Sequence, residues 1–227
     1  MITGNSSGLG YGLTEVLMAH GFCVHGLSRK GCDLRGELLD IRCDLTNFDT
    51  IAEKLDQLLL GIETLDLVVL NAGILGEIKH ISSTSLKELH HIMDVNLWPN
   101  KIILDWLLLS EIQIDQILLL SSGAAVLVGH AVNKGWGGYA LSKSALIMLG
   151  RLYAHEFPNT HIASIAPGLI ESNMMDYLWN QADSKEYPAL QRLQQAKTEG
   201  AILSPVQAGE RILETLPRLK EFESGSY

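Results

Sequence analysis

Thr3-Gly4-Asn5-Ser6-Ser7-Gly8-Leu9-Gly10 stands between the apolar stub Met1-Ile2 and a run of helical period that opens at Gly8. Glycine reaches positive φ without a Cβ penalty and lets backbone come close to a ligand. The first turn of a helix adds unpaired N–H groups and a partial positive charge. A glycine turn after a strand and before a helix therefore predicts a pyrophosphate cradle, with Gly4, Ser6, Ser7, Gly8 and Gly10 as its residues. Taken alone, the same turn also reads as an ordinary Gly-rich corner.

Outward from this turn, short apolar runs alternate with longer stretches of helical period. Strands are expected at 22–27, 38–43, 65–70, 114–120 and 161–165, with a short one at 222–224. Helices are expected at 8–20, 48–60, 85–109, 139–156 and 205–216. The strand runs are continuously apolar rather than alternating, which suits strands buried on both faces. Strand and helix in alternation imply βαβ units, hence an α/β fold: a doubly wound parallel sheet with helices on both faces. Two places strain the scheme. Only Met1-Ile2-Thr3 precedes the glycine turn, which is short for a strand. The link from Leu27 to Leu38 is too short for a crossover helix, so an irregular loop is expected there.

The chain has 227 residues, 47% hydrophobic and 19% charged, and its 17 basic against 26 acidic residues give a net charge of −9. That apolar content excludes intrinsic disorder. The acidic balance argues against nucleic acid or an anionic membrane as partner. No apolar run is long enough to span a bilayer, and the N-terminus lacks the basic and apolar regions of a signal peptide. Cys23, Cys32 and Cys43 form no CxxC and leave one over, which fits reduced thiols in a cytoplasmic protein. No His/Cys pattern suggests a metal, and the adjacent His90 and His91 read as solvated. No linker or repeat divides residues 1–227, so a single domain is expected.

The second expected strand ends in Ser28-Arg29-Lys30. In dinucleotide folds an acid here pairs with a free ribose 2′-hydroxyl and a basic residue accommodates a 2′-phosphate. The acid is missing and two cations follow, so charge complementarity selects NADP(H), the competing reading being a solvated basic pair. Asp44, with Leu45 after the third strand, is a candidate for the adenine amino group or an N-cap for the next helix. Tyr139 and Lys143 stand at i and i+4 on one helix face. A phenol is a poor acid–base catalyst near its ordinary pKa of 10, and a neighbouring ammonium is expected to lower it. Such a tyrosine can hand a proton to a carbonyl oxygen.

The glycine turn, Asn71-Ala72-Gly73, Asn96, Ser121-Ser122, Tyr139-x-x-x-Lys143 and Pro167-Gly168 occur in one order, each at an expected strand end or helix. In this the sequence resembles the short-chain dehydrogenase/reductase family, almost from end to end, and the resemblance implies a Rossmann-type domain. It implies that Ser122 hydrogen-bonds the substrate carbonyl, Tyr139 donates the proton, and Lys143 lowers the tyrosine pKa and holds the nicotinamide ribose. Asn96 would anchor a relay water, with Pro99 nearby as a departure from the family pattern. Asn71, Ala72 and Gly73 would pack beside the cofactor, and Pro167, Gly168, Ile170 and Ser172 would line its nicotinamide side. Ser122 and Tyr139 are 17 positions apart. That is more than the family usually places there, so the intervening loop is expected to bulge over the site.

Within the family, Lys134-Gly135-Trp136-Gly137-Gly138-Tyr139 and the final Phe222-Glu223-Ser224-Gly225-Ser226-Tyr227 look similar to the sepiapterin and benzil reductase branch. The implied activity is NADPH-dependent reduction of a small apolar or aromatic ketone. The alternatives are a catalytically silent NADP(H)-binding sensor or scaffold, and a 3-oxoacyl-carrier-protein-type reductase. Met174, Met175, Tyr177, Leu178 and Trp179 form either a pliable lid over an apolar substrate or helix core. Excess apolar residues on 85–109 and 139–156, with the family resemblance, imply a homodimer or homotetramer.

Overall fold

The computed structural model describes residues 1–125, 134–180 and 186–227. Six parallel strands form one sheet in the order β3-β2-β1-β4-β5-β6: β1 (Ile2–Thr3), β2 (Val24–Ser28), β3 (Leu38–Arg42), β4 (Thr64–Leu70), β5 (Gln113–Leu120) and β6 (His161–Ile165). The order reverses between β1 and β4, which opens a crevice beyond their carboxyl ends. The short β1 still holds the centre, pairing Ile2 with Gly26 of β2 and with Val69 of β4. No helix links β2 to β3, as the loop length requires.

Helices cover both faces. On one, α2 (Phe48–Leu58), α4 (Trp98–Leu109) and α5 (Gly137–Ala154) bury Leu55, Ile103, Leu107 and Leu146 against Val68, Ile117 and Leu119. On the other, α1 (Gly8–Ala19) and α8 (Pro205–Leu219) bury Leu13, Leu17 and Ile212 against Ile2, Val69 and Leu118. Each inner strand therefore loses both faces to apolar packing, which is why its sequence runs apolar without alternation. None of the helices is long and apolar enough to cross a membrane, among the described residues.

Two expected elements differ in the structure. The helix expected at 85–109 is two: α3 (Leu86–Asn96) and α4 meet at Leu97, whose φ of −123° and ψ of −63° leave the helical run. Pro99 is the cause, since its ring has no N–H and clashes with the preceding turn, so it opens a new helix instead. No strand forms at 222–224. There Ser224 Oγ accepts from Ile162 N at 3.0 Å, and Gly225 at φ +88° breaks the extended run, so pairing with β6 is confined to a bridge between Ala163 and Ser226. Finally, α6 (Asn173–Trp179) and α7 (Pro188–Thr198) occupy the stretch read as lid or core. Met175 and Leu178 of α6 pack with Leu75, Leu190 and Leu193, and Met174, Met175, Tyr177 and Leu178 border the cleft. The core reading therefore holds, and the same residues border the cleft.

Candidate active site

A cleft of about 940 Å³ lies along the carboxyl ends of the strands. One end carries the glycine turn. Gly4 (φ +72°) and Gly8 (φ +54°) are left-handed, and a Cβ on Gly4 would stand 2.9 Å from Ala72 Cα. Ser6 and Ser7 also face the cleft, whereas Gly10 does not. Its Cβ would fall 2.3 Å from the Gly4 carbonyl oxygen, so Gly10 keeps the turn closed against α1. Asn71 Nδ2 donates to the Thr3 carbonyl at 3.0 Å, and Thr3 Oγ1 accepts from the N–H groups of Asn71 and Ala72 at 3.0 and 3.1 Å. These bonds tie the end of β4 to the turn.

Ser28, Arg29 and Lys30 line the next part of the cleft, with Asp44 and Leu45 beyond them. Ser28 is buried, and its hydroxyl has no hydrogen-bond partner among the described residues. Asp44 is not an N-cap, that position before α2 being Asn47. Its Oδ1 accepts from Thr46 N at 3.0 Å and Thr46 Oγ1 at 2.8 Å; these bonds, with Arg29 nearby, hold its carboxyl below the ordinary value. His91, read from sequence as solvated, is exposed yet lines the same end.

At the other end Tyr139 and Lys143, one turn apart on α5, face Ser122 at the end of β5. The Ser122 hydroxyl is hydrogen-bonded to the Tyr139 phenol. Lys143 is 4% exposed, its Nζ donating to the Leu120 carbonyl at 2.7 Å and lying 5.8 Å from the centre of the Tyr139 ring. Burial pushes the phenol above its ordinary value and the Ser122 bond opposes that rise, so the expected lowering by Lys143 is not what governs it. Burial also draws Lys143 down to about 8. Gly73 makes room for this, since a Cβ there would meet Asn96 Oδ1 at 3.2 Å and Lys143 Nζ at 3.3 Å.

Asn96 lies behind the cleft wall. It is fully buried and does not line the cleft. Its Oδ1 accepts from Ile74 N at 2.7 Å, its Nδ2 donates to the Ile74 carbonyl and to Ser142 Oγ at 2.9 Å each, and its own carbonyl accepts from Asn100 Nδ2 at 2.8 Å. With these groups engaged, Asn96 is a clamp that holds the chain after Gly73 against α5. Pro167, Gly168, Ile170 and Ser172 do line the cleft. Ser172 caps α6, its Oγ accepting from Met175 N at 3.3 Å. Residues 126–133 of the expected bulging loop lie outside the described residues.

Asp40 and Gly26, which no motif marks, join the glycine turn to the loop after β2. Asn5 Nδ2 donates to Asp40 Oδ1 at 2.7 Å, Asp40 Oδ2 accepts from Cys32 N at 2.9 Å, and Gly26 lies beneath. They lie on three elements and share no local motif. No group of three or more possible metal ligands occurs among the described residues.

Comparison with known proteins agrees with this fold. Residues 1–183 match the family model described as short chain dehydrogenase. A benzil reductase ((S)-benzoin forming) of Bacillus subtilis (strain 168) is 27% identical over 219 residues, 90% of this chain and 87% of that protein. A 3-oxoacyl-[acyl-carrier-protein] reductase of Rickettsia bellii (strain RML369-C) is 30% identical over 191 residues, 78% of this chain and 75% of that protein. The crystal structure of the KRED1-Pglu enzyme superposes with a TM-score of 0.82 at 26% identity, covering 100% of this chain and 98% of that one.

Proposed function

This chain belongs to the short-chain dehydrogenase/reductase family of oxidoreductases acting on carbonyl and hydroxyl groups, and on that premise we propose that it is an NADPH-dependent reductase of small, apolar or aromatic ketones. One observation carries the reading. A phenol hydrogen-bonded to a serine hydroxyl, one helical turn from a buried lysine, closes the cleft whose far end holds the glycine turn and Arg29-Lys30.

The residues fit a nicotinamide dinucleotide. Gly4 and Gly8 leave a cradle that side chains would fill, the buried Ser28 hydroxyl is unpaired among the described residues, and Arg29 and Lys30 bring two cations to a 2′-phosphate. Ser6, Ser7, Asn71, Ala72, Gly73, Asp44 and Leu45 would hold its phosphates and adenosine, and Pro167, Gly168, Ile170 and Ser172 its nicotinamide end. That cofactor supplies hydride when bound. Tyr139 donates its proton to the substrate oxygen, its raised pKa keeping it protonated through neutral pH. Ser122 donates a hydrogen bond to the same oxygen, and Lys143, cationic below about pH 8, stabilises the phenolate left behind.

Leu75, Trp136, Met174 and Tyr177 give the substrate end an apolar, aromatic wall, which favours a compact ketone of the benzil type over an acyl chain on a carrier protein. Residues 1–227 act as one cytoplasmic cofactor-binding domain, paired in a homodimer through α4 and α5. NADPH absorbance followed with a panel of aromatic diketones tests the activity. We expect turnover in the parent and a loss of at least about a hundredfold in Tyr139→Phe, with NADPH binding retained. No turnover on any carbonyl refutes the assignment.

A further inference from the structure

We propose that Asp40, on β3, is a positioning residue for cofactor selectivity: it locks the Arg29–Lys30 segment to the glycine turn. The inference rests on reading Arg29 and Lys30 as the 2′-phosphate contacts. Asp40 reaches two places at once. Oδ1 accepts from Asn5 of the glycine turn at 2.7 Å, and Oδ2 accepts from the backbone N–H of Cys32 at 2.9 Å, three residues beyond Arg29. The first bond crosses over β2, where Gly26 sits in register with Asp40. A Cβ on Gly26 would stand 2.1 Å from Asn5 Nδ2 and 2.5 Å from Asp40 Oδ1, so only glycine leaves room for the bridge.

The consequence is a short segment pinned at both ends. At one end the Ser28 carbonyl accepts from Cys43 N at 2.9 Å within the β2–β3 ladder; at the other, Cys32 N is held by Asp40. Between them lie only Arg29, Lys30 and Gly31, the last at φ +81°, where a Cβ would stand 3.2 Å from Asp40 Oδ2. Two flexible cations bind a phosphate weakly when the backbone carrying them must be ordered on binding. Fixing that backbone beforehand raises the competent fraction and the affinity with it.

Asp40 is itself an anion near the proposed phosphate site, so charge and position predict opposite results on its removal. The experiment measures dissociation constants of 2′,5′-ADP and of 5′-AMP, by calorimetry, for the parent, Asp40→Ala, Asp40→Asn and Arg29→Ala. Asp40→Ala should weaken 2′,5′-ADP about fivefold and 5′-AMP by much less. Asp40→Asn should keep the parent's preference, because a flip of the Asn5 amide restores donor to acceptor and the asparagine oxygen still accepts from Cys32. Equal weakening of both nucleotides in Asp40→Ala, or tighter 2′,5′-ADP binding, overturns the positioning role. A parent that does not distinguish the nucleotides overturns the NADPH reading itself; selectivity lost in Arg29→Ala but unchanged in Asp40→Ala overturns only the bridge.

Discussion

Lys143 shows how much one side chain can cost and still be kept. Its ammonium is buried against one carbonyl, and desolvation lowers its pKa from 10.5 to about 8. That difference corresponds to about 3 kcal/mol of native-state penalty for the charged form. The penalty is fully present below about pH 8, and this group's contribution to stability improves as pH rises from there towards 10.5, because the unfolded chain then binds the extra proton. Lys143→Met removes the charge and fills the space, so its Tm at pH 7 should rise by roughly 5 °C while ketone reduction collapses. A Tm at or below the parent's, measured by calorimetry, would falsify the cost. The same titration sets the reaction's alkaline limb: turnover at saturating substrate should fall as pH passes about 8, and a profile flat to pH 10 removes Lys143's charge from the mechanism. Sequence spacing identified this residue, yet it predicted a lowered tyrosine pKa. Burial, which no spacing reveals, raises it instead.

At the scale of elements, close approach decides more than apolar pattern. Helices α1 and α8 cross through two glycines: a Cβ on Gly12 would lie 2.2 Å from the Pro205 carbonyl, and one on Gly209 would lie 3.1 Å from the Gly12 oxygen. Gly12→Ala gains helix propensity but forces the pair apart, so it should lower stability by about 2–4 kcal/mol, read from the denaturant midpoint. Unchanged stability would mean that α8 shifts freely. The break between α3 and α4 belongs to the same scale. Pro99 was legible as a disruption; spacing did not show that Asn96 and Asn100, on either side of the break, turn inward to bind Ile74, Ser142 and the Asn96 carbonyl. The Asn96 side chain thus also holds the cleft wall.

For the molecule as a whole, the unanswered surface is α5. Leu141, Met148 and Leu152 are 52–56% exposed and fall on one stripe, and Trp98 and Leu109 at either end of α4 are exposed as well. Three apolar side chains left in water on one helix face suit a second copy. Light scattering should give a dimer or larger for the parent and a monomer for Met148→Glu/Leu152→Glu; a monomeric parent ends the proposal. The sequence by itself determined the alternation of strand and helix, the glycine turn, the order of motifs and the Tyr139–Lys143 spacing, because these depend on contacts within a few residues or on backbone geometry that only certain residues allow. Tertiary structure alone decided that the Asn96 side chain is engaged by Ile74 and Ser142, that Asp40 ties Asn5 of the glycine turn to the Cys32 backbone, and that α6 packs on Leu75 and Leu190 beside the cleft. Those roles arise from groups far apart along the chain whose polar atoms, once removed from water, must find each other.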